Sequence, residues 1–459
     1  MTLAKDRLSL AKVVGDAFVE NYTGTEPSVC VIRINGPALP LRGQIRSPGN
    51  KNTAMPAVVA AALSTAQTTI LNVPDIADIH GLLAILSTIG LDISLRKSAL
   101  TVQPRQPTVS TIPGALSSKL RGSVYALAIL ARFFPQGTIG EIGGDLLISR
   151  TLEPHARALA GFGVEMRQLE CGWRLLGGPG RPGEFSLRDR RAGITATCLA
   201  LLLGAALEGR SIIHEASDEL EVQDMIDCVT SLGAFAFLDG TTLIVDGPMK
   251  NSGASWAIPG DQTCCGTMAI AVAITGGEAT LPLGMANRMG SILDALEESG
   301  IQISREDKII RIRGRAKKAV SITTAPFPGF PTDVGPQMAA LLTQADGTSH
   351  FTETVNSQRF DHVYELRDLG AEIQLDGDRA TIVGPRRLTA ARIRGSGLRE
   401  TSALVLASLA AHGTTVIEGG QALFRGFEDF PRDLATMGAD VETIWEATGY
   451  RESPAHRAE

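Results

Sequence analysis

A phrase that returns six times constrains this chain more than any other feature of it. The phrase is a helix end, then Gly, then alternating apolar residues. It reads STIGLDISL at Gly90, AGFGVEM at Gly163, TSLGAFAF at Gly233, EESGIQIS at Gly300, RDLGAEIQL at Gly370 and ATMGADVET at Gly438. The spacing is about 70 residues, which marks an internal repeat. About 25 residues before each Gly comes a turn and a short strand. These read AQTTILNV, QGTIGEI, EGRSIIHE, GGEATLPL, DGTSHFTE and HGTTVIEG. Ahead of each lies an Ala-rich stretch: TAMPAVVAAALS, SVYALAILARFF, ITATCLALLLGAAL, CCGTMAIAVAI, VGPQMAALLTQ and ETSALVLASLAA. Being apolar on most faces, these predict six buried helices.

Each unit therefore reads strand, buried helix, strand, amphipathic helix, Gly turn and strand pair. One such unit cannot bury its own helix, but three packed together can. Six units predict an α/β protein of two similar lobes with a cleft between them. The Pro/Gly break WAIPGDQ, Trp256 to Gln262, falls near mid-length. The 459 residues also exceed one ordinary core. A net charge of −6 argues against a general nucleic-acid binder. The six cysteines have no C-x-x-C or zinc spacing, so reduced thiols in a cytoplasmic protein are expected. Met1 to Gly24 lacks the continuous apolar run of a secretory signal, and no stretch is long enough for a membrane span.

The chemistry is expected where the buried helices begin, because free N–H groups and the macrodipole favour anions there. The preceding residues read PGNKN, KLRGS, RRAGIT, PGDQT, FPTD and SGLRE, and carry Lys51, Arg121, Arg190, Arg191, Asp261, Asp333 and Arg399. Lys and Arg in this setting suit a small, multiply charged anion. Asp333, a carboxylate among cations, is a candidate general base. The histidines share no metal-ligand spacing and read as structural or surface residues. GGPGRPGEF, Gly177 to Phe185, lacks a P-loop ending and reads as a hairpin loop.

At these residues the chain resembles the enolpyruvyl transferases, most of all the UDP-N-acetylglucosamine 1-carboxyvinyltransferase branch. The resemblance runs from about Ile32 to Val441 and rests on SPGNKNTAMP, GGDLLISR, APFPGFPTD, ETVNSQRFDHVYEL and GLRETSALVLA. It implies a two-domain inverse α/β barrel with the active site between the lobes. The expected division is an extension over 1–28, one lobe from 29–46 plus 259–445, a second over 47–258, and a disordered tail over 446–459. It also implies phosphoenolpyruvate and a uridine nucleotide as substrates, with no metal or organic cofactor. Lys51, Arg121, Arg150 and Arg399 would bind phosphoenolpyruvate. Asn52 would hydrogen-bond the acceptor or intermediate, Asp333 would take its proton, and Arg359 would support.

The sequence departs from the family pattern in places. Asp145 stands where most members have a loop Cys, as a general acid or as a loop-ordering residue. RTLEPH, Arg150 to His155, alters the acceptor element and leaves Glu153 in place of the family Asp. RAG, Arg191 to Gly193, puts a cation where the family is neutral, and Asn356 replaces an aromatic. Together these favour an altered acceptor, the 3′-hydroxyl of UMP, over UDP-N-acetylglucosamine. An inactive scaffolding or sensing paralogue is the reading from another class.

Overall fold

The computed structural model describes residues 28–144, 151–187 and 193–447. The repeat becomes six four-stranded sheets. In five of them an edge strand pairs parallel with the strand that follows a buried helix, and a hairpin completes the sheet antiparallel. The sixth has the same order, with the N-terminal strand Ser28–Gly36 in place of one hairpin strand, between Gly413–Glu418 and Asp440–Ala447. This strand begins at the last residue assigned to the extension, and Asp440–Ala447 enters the residues assigned to the tail.

The buried helices are Lys51–Leu63, Ala126–Phe133, Gly193–Ala206, Gln262–Thr275, Gly335–Leu342 and Leu398–Ser408. Every residue of Gln262–Thr275 is buried. The recurring glycines have one physical reason. Each lies two residues past an amphipathic helix, with φ between +79° and +106°, where a side chain would be strained. In each, the N–H of the following apolar residue bonds back into the last helical turn, as Val164 does to Leu159 and Ala439 to Leu434. That following residue is buried at all six sites.

Apolar side chains gather in two clusters. One runs from Ala54 to Ile258, and the other joins Cys30–Ile45 to Cys264–Ala439. The chain crosses between them twice. Strand Arg42–Gln44 pairs with Glu278–Pro282, while the helix after it packs in the first cluster. Conversely, Ala254–Ala257 pairs with Thr68–Leu71, and the helix after it packs in the second. The first and fourth units thus exchange edge strands. The crossing segments touch through Asn50 N–H to Pro259 O and Asp261 N–H to Pro48 O, both 2.8 Å.

The segment Gly177 to Gly183 is not a hairpin loop. The strands beside it, Gly172–Leu176 and Glu184–Ser186, lie in different sheets, so it links two repeats. All six cysteines are free. No helix among the described residues is long and apolar enough to cross a membrane.

Candidate active site

The centre of the site is built by the last two repeats. Pro331 turns the chain into a short 3-10 helix, Thr332–Val334, that leads into the buried helix Gly335–Leu342 and carries Asp333. Arg399 stands on the first turn of the next buried helix. Arg359 lies on the loop before His362–Asp368. The three meet: Arg359 and Arg399 each donate to a different oxygen of Asp333, at 2.7 Å. Both arginines are 6% exposed. Burial alone would raise the Asp333 carboxyl, but the two guanidinium charges and their hydrogen bonds outweigh it and hold the group well below the usual carboxylate range. Burial disfavours the Arg399 charge, and Asp333 and Asp261 more than restore it.

The loops that hold this triad are tied by Glu353, which is 1% exposed. One of its oxygens accepts from Thr324 Oγ1 and from the N–H groups of Val355 and Asn356, and the other from Thr332 Oγ1 at 2.8 Å. The Asn356 carbonyl then takes the Arg359 N–H at 2.9 Å. Asn356, read as part of an altered acceptor pocket, is buried in this turn. A buried carboxylate with this many donors fixes geometry rather than reacting.

Lys51 enters from the other lobe, at the start of helix Lys51–Leu63. Its ammonium is 2.8 Å from Asp78, which is 5% exposed and also takes Arg425 from the opposite lobe at 3.2 Å. Asn52 follows on the same turn, half-buried. Pro56, inside the helix, has no N–H to give the Asn52 carbonyl, which leaves polar capacity at the site end of the helix. Arg121 opens the 3-10 helix Arg121–Tyr125, whose Gly122 packs so closely on Met55 that a Cβ there would lie 1.9 Å from Met55 Cε.

Asp145, Arg150 and Arg191 lie outside the described residues. Their neighbours are described. His155 is buried, bonded to Thr195 Oγ1 at 2.9 Å, and pushed down to about 3 by burial and by Arg121. His362 is similarly pushed down to about 3 by burial and Arg359. Two histidines read as bland from the sequence therefore sit buried beside site arginines, which disfavour their protonation. Glu153 is drawn elsewhere: its side chain is 62% exposed and pairs with Arg157 one turn on. Pro154 falls in the first turn of Glu153–Gly161, where proline is tolerated, so it starts this helix rather than breaking it. Gly193 begins its helix at φ +72° with open space where a Cβ would lie, so backbone conformation rather than room calls for glycine.

Polar contacts join the lobes around the site. Arg288 grips Asp224 with two bonds of 2.9 Å, and Asp224 also accepts from Thr53 Oγ1. Gln262 links Asn50 to Glu221, and Glu219 accepts the Phe327 N–H at 3.1 Å. Burial pushes Glu221 up to about 7. A cavity of about 80 Å³ beside the crossing, lined in part by Arg46, Cys264 and Phe427, contains no candidate site residue. It is far smaller than a typical ligand pocket of roughly 300–1,000 Å³.

Lys51, Arg121 and Arg399 stand at helix starts, where cations suit a small anion, and Arg399 joins Arg359 in holding the Asp333 carboxylate. Comparisons with known proteins identify the family. The family model for EPSP synthase (3-phosphoshikimate 1-carboxyvinyltransferase) matches residues 36–434. A UDP-N-acetylglucosamine 1-carboxyvinyltransferase of Rhodopseudomonas palustris (strain BisB5) is 35% identical over 417 residues, covering 88% of this chain and 97% of that protein. One of the same name from Brucella ovis is 34% identical over 419 residues, with the same shares. Among solved structures, the enolpyruvyl transferase NikO from Streptomyces tendae superposes with a TM-score of 0.81 at 22% identity, over 92% of this chain and 100% of that one. EPSP synthase from Acinetobacter baumannii gives 0.70 at 17% identity, over 91% and 100%. A family model matched over residues 36–434, a relative 35% identical over 97% of its length, and a shared two-domain fold of six repeats place the chain in the enolpyruvyl transferase family.

Proposed function

We propose that this transferase moves the enolpyruvyl group of phosphoenolpyruvate to a hydroxyl of a uridine nucleotide, with release of phosphate, and that the acceptor is the 3′-hydroxyl of UMP. The observation that carries the reaction is the Asp333 carboxylate held between Arg359 and Arg399. In this reading Lys51, Arg121, Arg150 and Arg399 take the phosphate and carboxylate of phosphoenolpyruvate. The incoming anion competes with Asp333 for Arg399. As that guanidinium turns to the anion, Asp333 loses part of what holds its carboxyl low and becomes a better base. It takes the hydroxyl proton as the oxygen attacks C2, while C3 gains a proton, with Asp145 the candidate donor. The ketal phosphate then eliminates: the C2–O bond to phosphate breaks as C3 returns a proton to the Asp145 carboxylate, which restores the double bond, and the cations stabilise the departing charge. The lobes 47–258 and 29–46 plus 259–445 close the site from two sides.

UMP is supported by Arg191 and by RTLEPH, where the family's acceptor element is altered. Glu153 fits the same view, since its exposed side chain turns to Arg157 one helical turn on. A second reading is UDP-N-acetylglucosamine, favoured by relatives of that name at 34–35% identity. The test is phosphate release from phosphoenolpyruvate with either acceptor, with product mass confirmed. Turnover with UMP and not the sugar nucleotide is expected; the opposite result moves the chain to the second reading.

A further inference from the structure

The carboxylate of Asp261 touches both crossing helices. One oxygen caps its own helix, accepting from Thr263 N–H at 2.8 Å and Cys264 N–H at 2.9 Å. The other accepts the Lys51 N–H, at 3.0 Å, from the first residue of the opposite lobe's helix. Asp261 is 4% exposed. Around it the two crossings form a near-symmetric knot. Asn50 caps helix Lys51–Leu63 through Thr53 N–H and reaches across to Gln262 at 2.8 Å. The crossing glycines are closely packed: a Cβ on Gly49 would lie 1.9 Å from the Asn72 carbonyl oxygen, which excludes a larger residue there, and one on Gly260 would lie 2.0 Å from Ser47 Oγ.

The two sides of the knot differ in one respect. Asn50 reaches a side chain across the crossing, whereas Asp261 reaches the backbone of the residue that carries the site ammonium. Each helix start presents unpaired N–H groups and a partial positive charge. A shared carboxylate satisfies groups on both starts and draws them together. The Lys51 backbone is thereby fixed from the opposite lobe while Asp78 fixes its ammonium.

We propose that Asp261 is a positioning residue for phosphoenolpyruvate: one carboxylate caps the buried helices of both lobes and so holds Lys51 at the anion site. The proposal rests on the reading above in which Lys51 binds phosphoenolpyruvate. Asn at 261 has one oxygen and one NH2 group. Either the Lys51 N–H or the pair from Thr263 and Cys264 must then face a donor.

The test is Asp261→Asn in the full chain, with two readouts. In turnover, the KM for phosphoenolpyruvate is expected to rise by about tenfold, while the Kd of the nucleotide acceptor changes by less than about twofold. The second readout needs no turnover. Acetic anhydride labelling of Lys51, followed by mass spectrometry relative to exposed Lys97, should speed up several-fold as Lys51 loosens from Asp78. Labelling at the wild-type rate overturns the proposal, as does a KM that does not move in an active enzyme. If wild type releases no phosphate with either acceptor but labelling responds, the proposed acceptors fail while Asp261 is still shown to hold Lys51 in place. If Asp261→Asn does not fold, Asp261→Glu, which keeps the charge and lengthens the side chain, carries the labelling test: faster labelling supports the positioning role and the wild-type rate overturns it.

Discussion

Asp333→Asn separates the roles this site assigns. Asp333 accepts two charge-assisted hydrogen bonds of 2.7 Å, one on each oxygen. An amide keeps one acceptor and turns an NH2 group towards the other guanidinium. The variant thus forfeits one bond of this kind, which stabilises by about 1.5–3 kcal/mol. It also leaves Arg359 and Arg399, both 6% exposed, without their shared counter-charge. A loss of roughly 2 kcal/mol is expected, which for lobes of this size lowers the unfolding midpoint by about 4–8 °C. The loss should shrink in acid. A carboxyl held below its unfolded pKa contributes stability above that value and loses it as pH falls towards the folded one. Turnover should fall further than stability: without the base, kcat drops by about 10²–10⁴. Calorimetry across pH and phosphate release at saturating substrates measure the two effects. A folded variant that keeps kcat within about threefold of wild type would refute the base assignment. An unchanged midpoint would refute the energetic account of the clamp.

Two other outcomes follow from the structure. Glu221 is buried and raised to about 7, so its protonated form favours the fold; that contribution is full below pH 4.5 and lost as pH rises through 7. Glu221→Gln, which can still accept from Gln262, should match wild type in acid and gain stability with rising pH, up to about 3 kcal/mol above pH 7. Urea titrations at pH 5 and pH 8 read this, and an equal effect at both would contradict it. Gly163→Ala isolates backbone strain, because φ there is +79° and a Cβ meets nothing within 4 Å. It should cost about 1–2 kcal/mol, and a neutral result in thermal unfolding would show that the turn does not need glycine.

Much of this protein is legible because it is local and repeated. The glycines at 90, 163, 233, 300, 370 and 438 announce helix ends, since a left-handed position excludes other residues wherever it occurs. The buried helices announce themselves by being apolar on all sides. Recurrence also picked out Lys51, Arg121, Asp261, Asp333 and Arg399 at helix starts, and family resemblance added Asn52 and Arg359. Other contributors left less signal. Asp78, Arg425 and Arg288 look like ordinary surface charges, and their roles depend on contacts across the lobes. His155 and His362 carry no spacing pattern, yet both are buried beside arginines. Glu353 opens the stretch ETVNSQRFDHVYEL, but its hydrogen bonds depend on a loop folded over it.

The sequence by itself determined the unit: its helices, its turns, its six-fold recurrence and the charges at its helix starts. These follow from periodicity and backbone sterics within a few tens of residues. Only the tertiary structure decided how the units close. The strand at 42–44 leaves its own helix to join the fourth sheet, and 254–257 makes the reverse exchange into the first. The strand at 28–36 completes the sixth sheet, pairing with residues about 400 positions away. Edge strands in similar repeats offer similar hydrogen bonds, so pairing chemistry alone cannot choose the partner. The choice belongs to the packing of two cores around two crossings, and it is that choice which brings Lys51 of one lobe against Asp261 of the other.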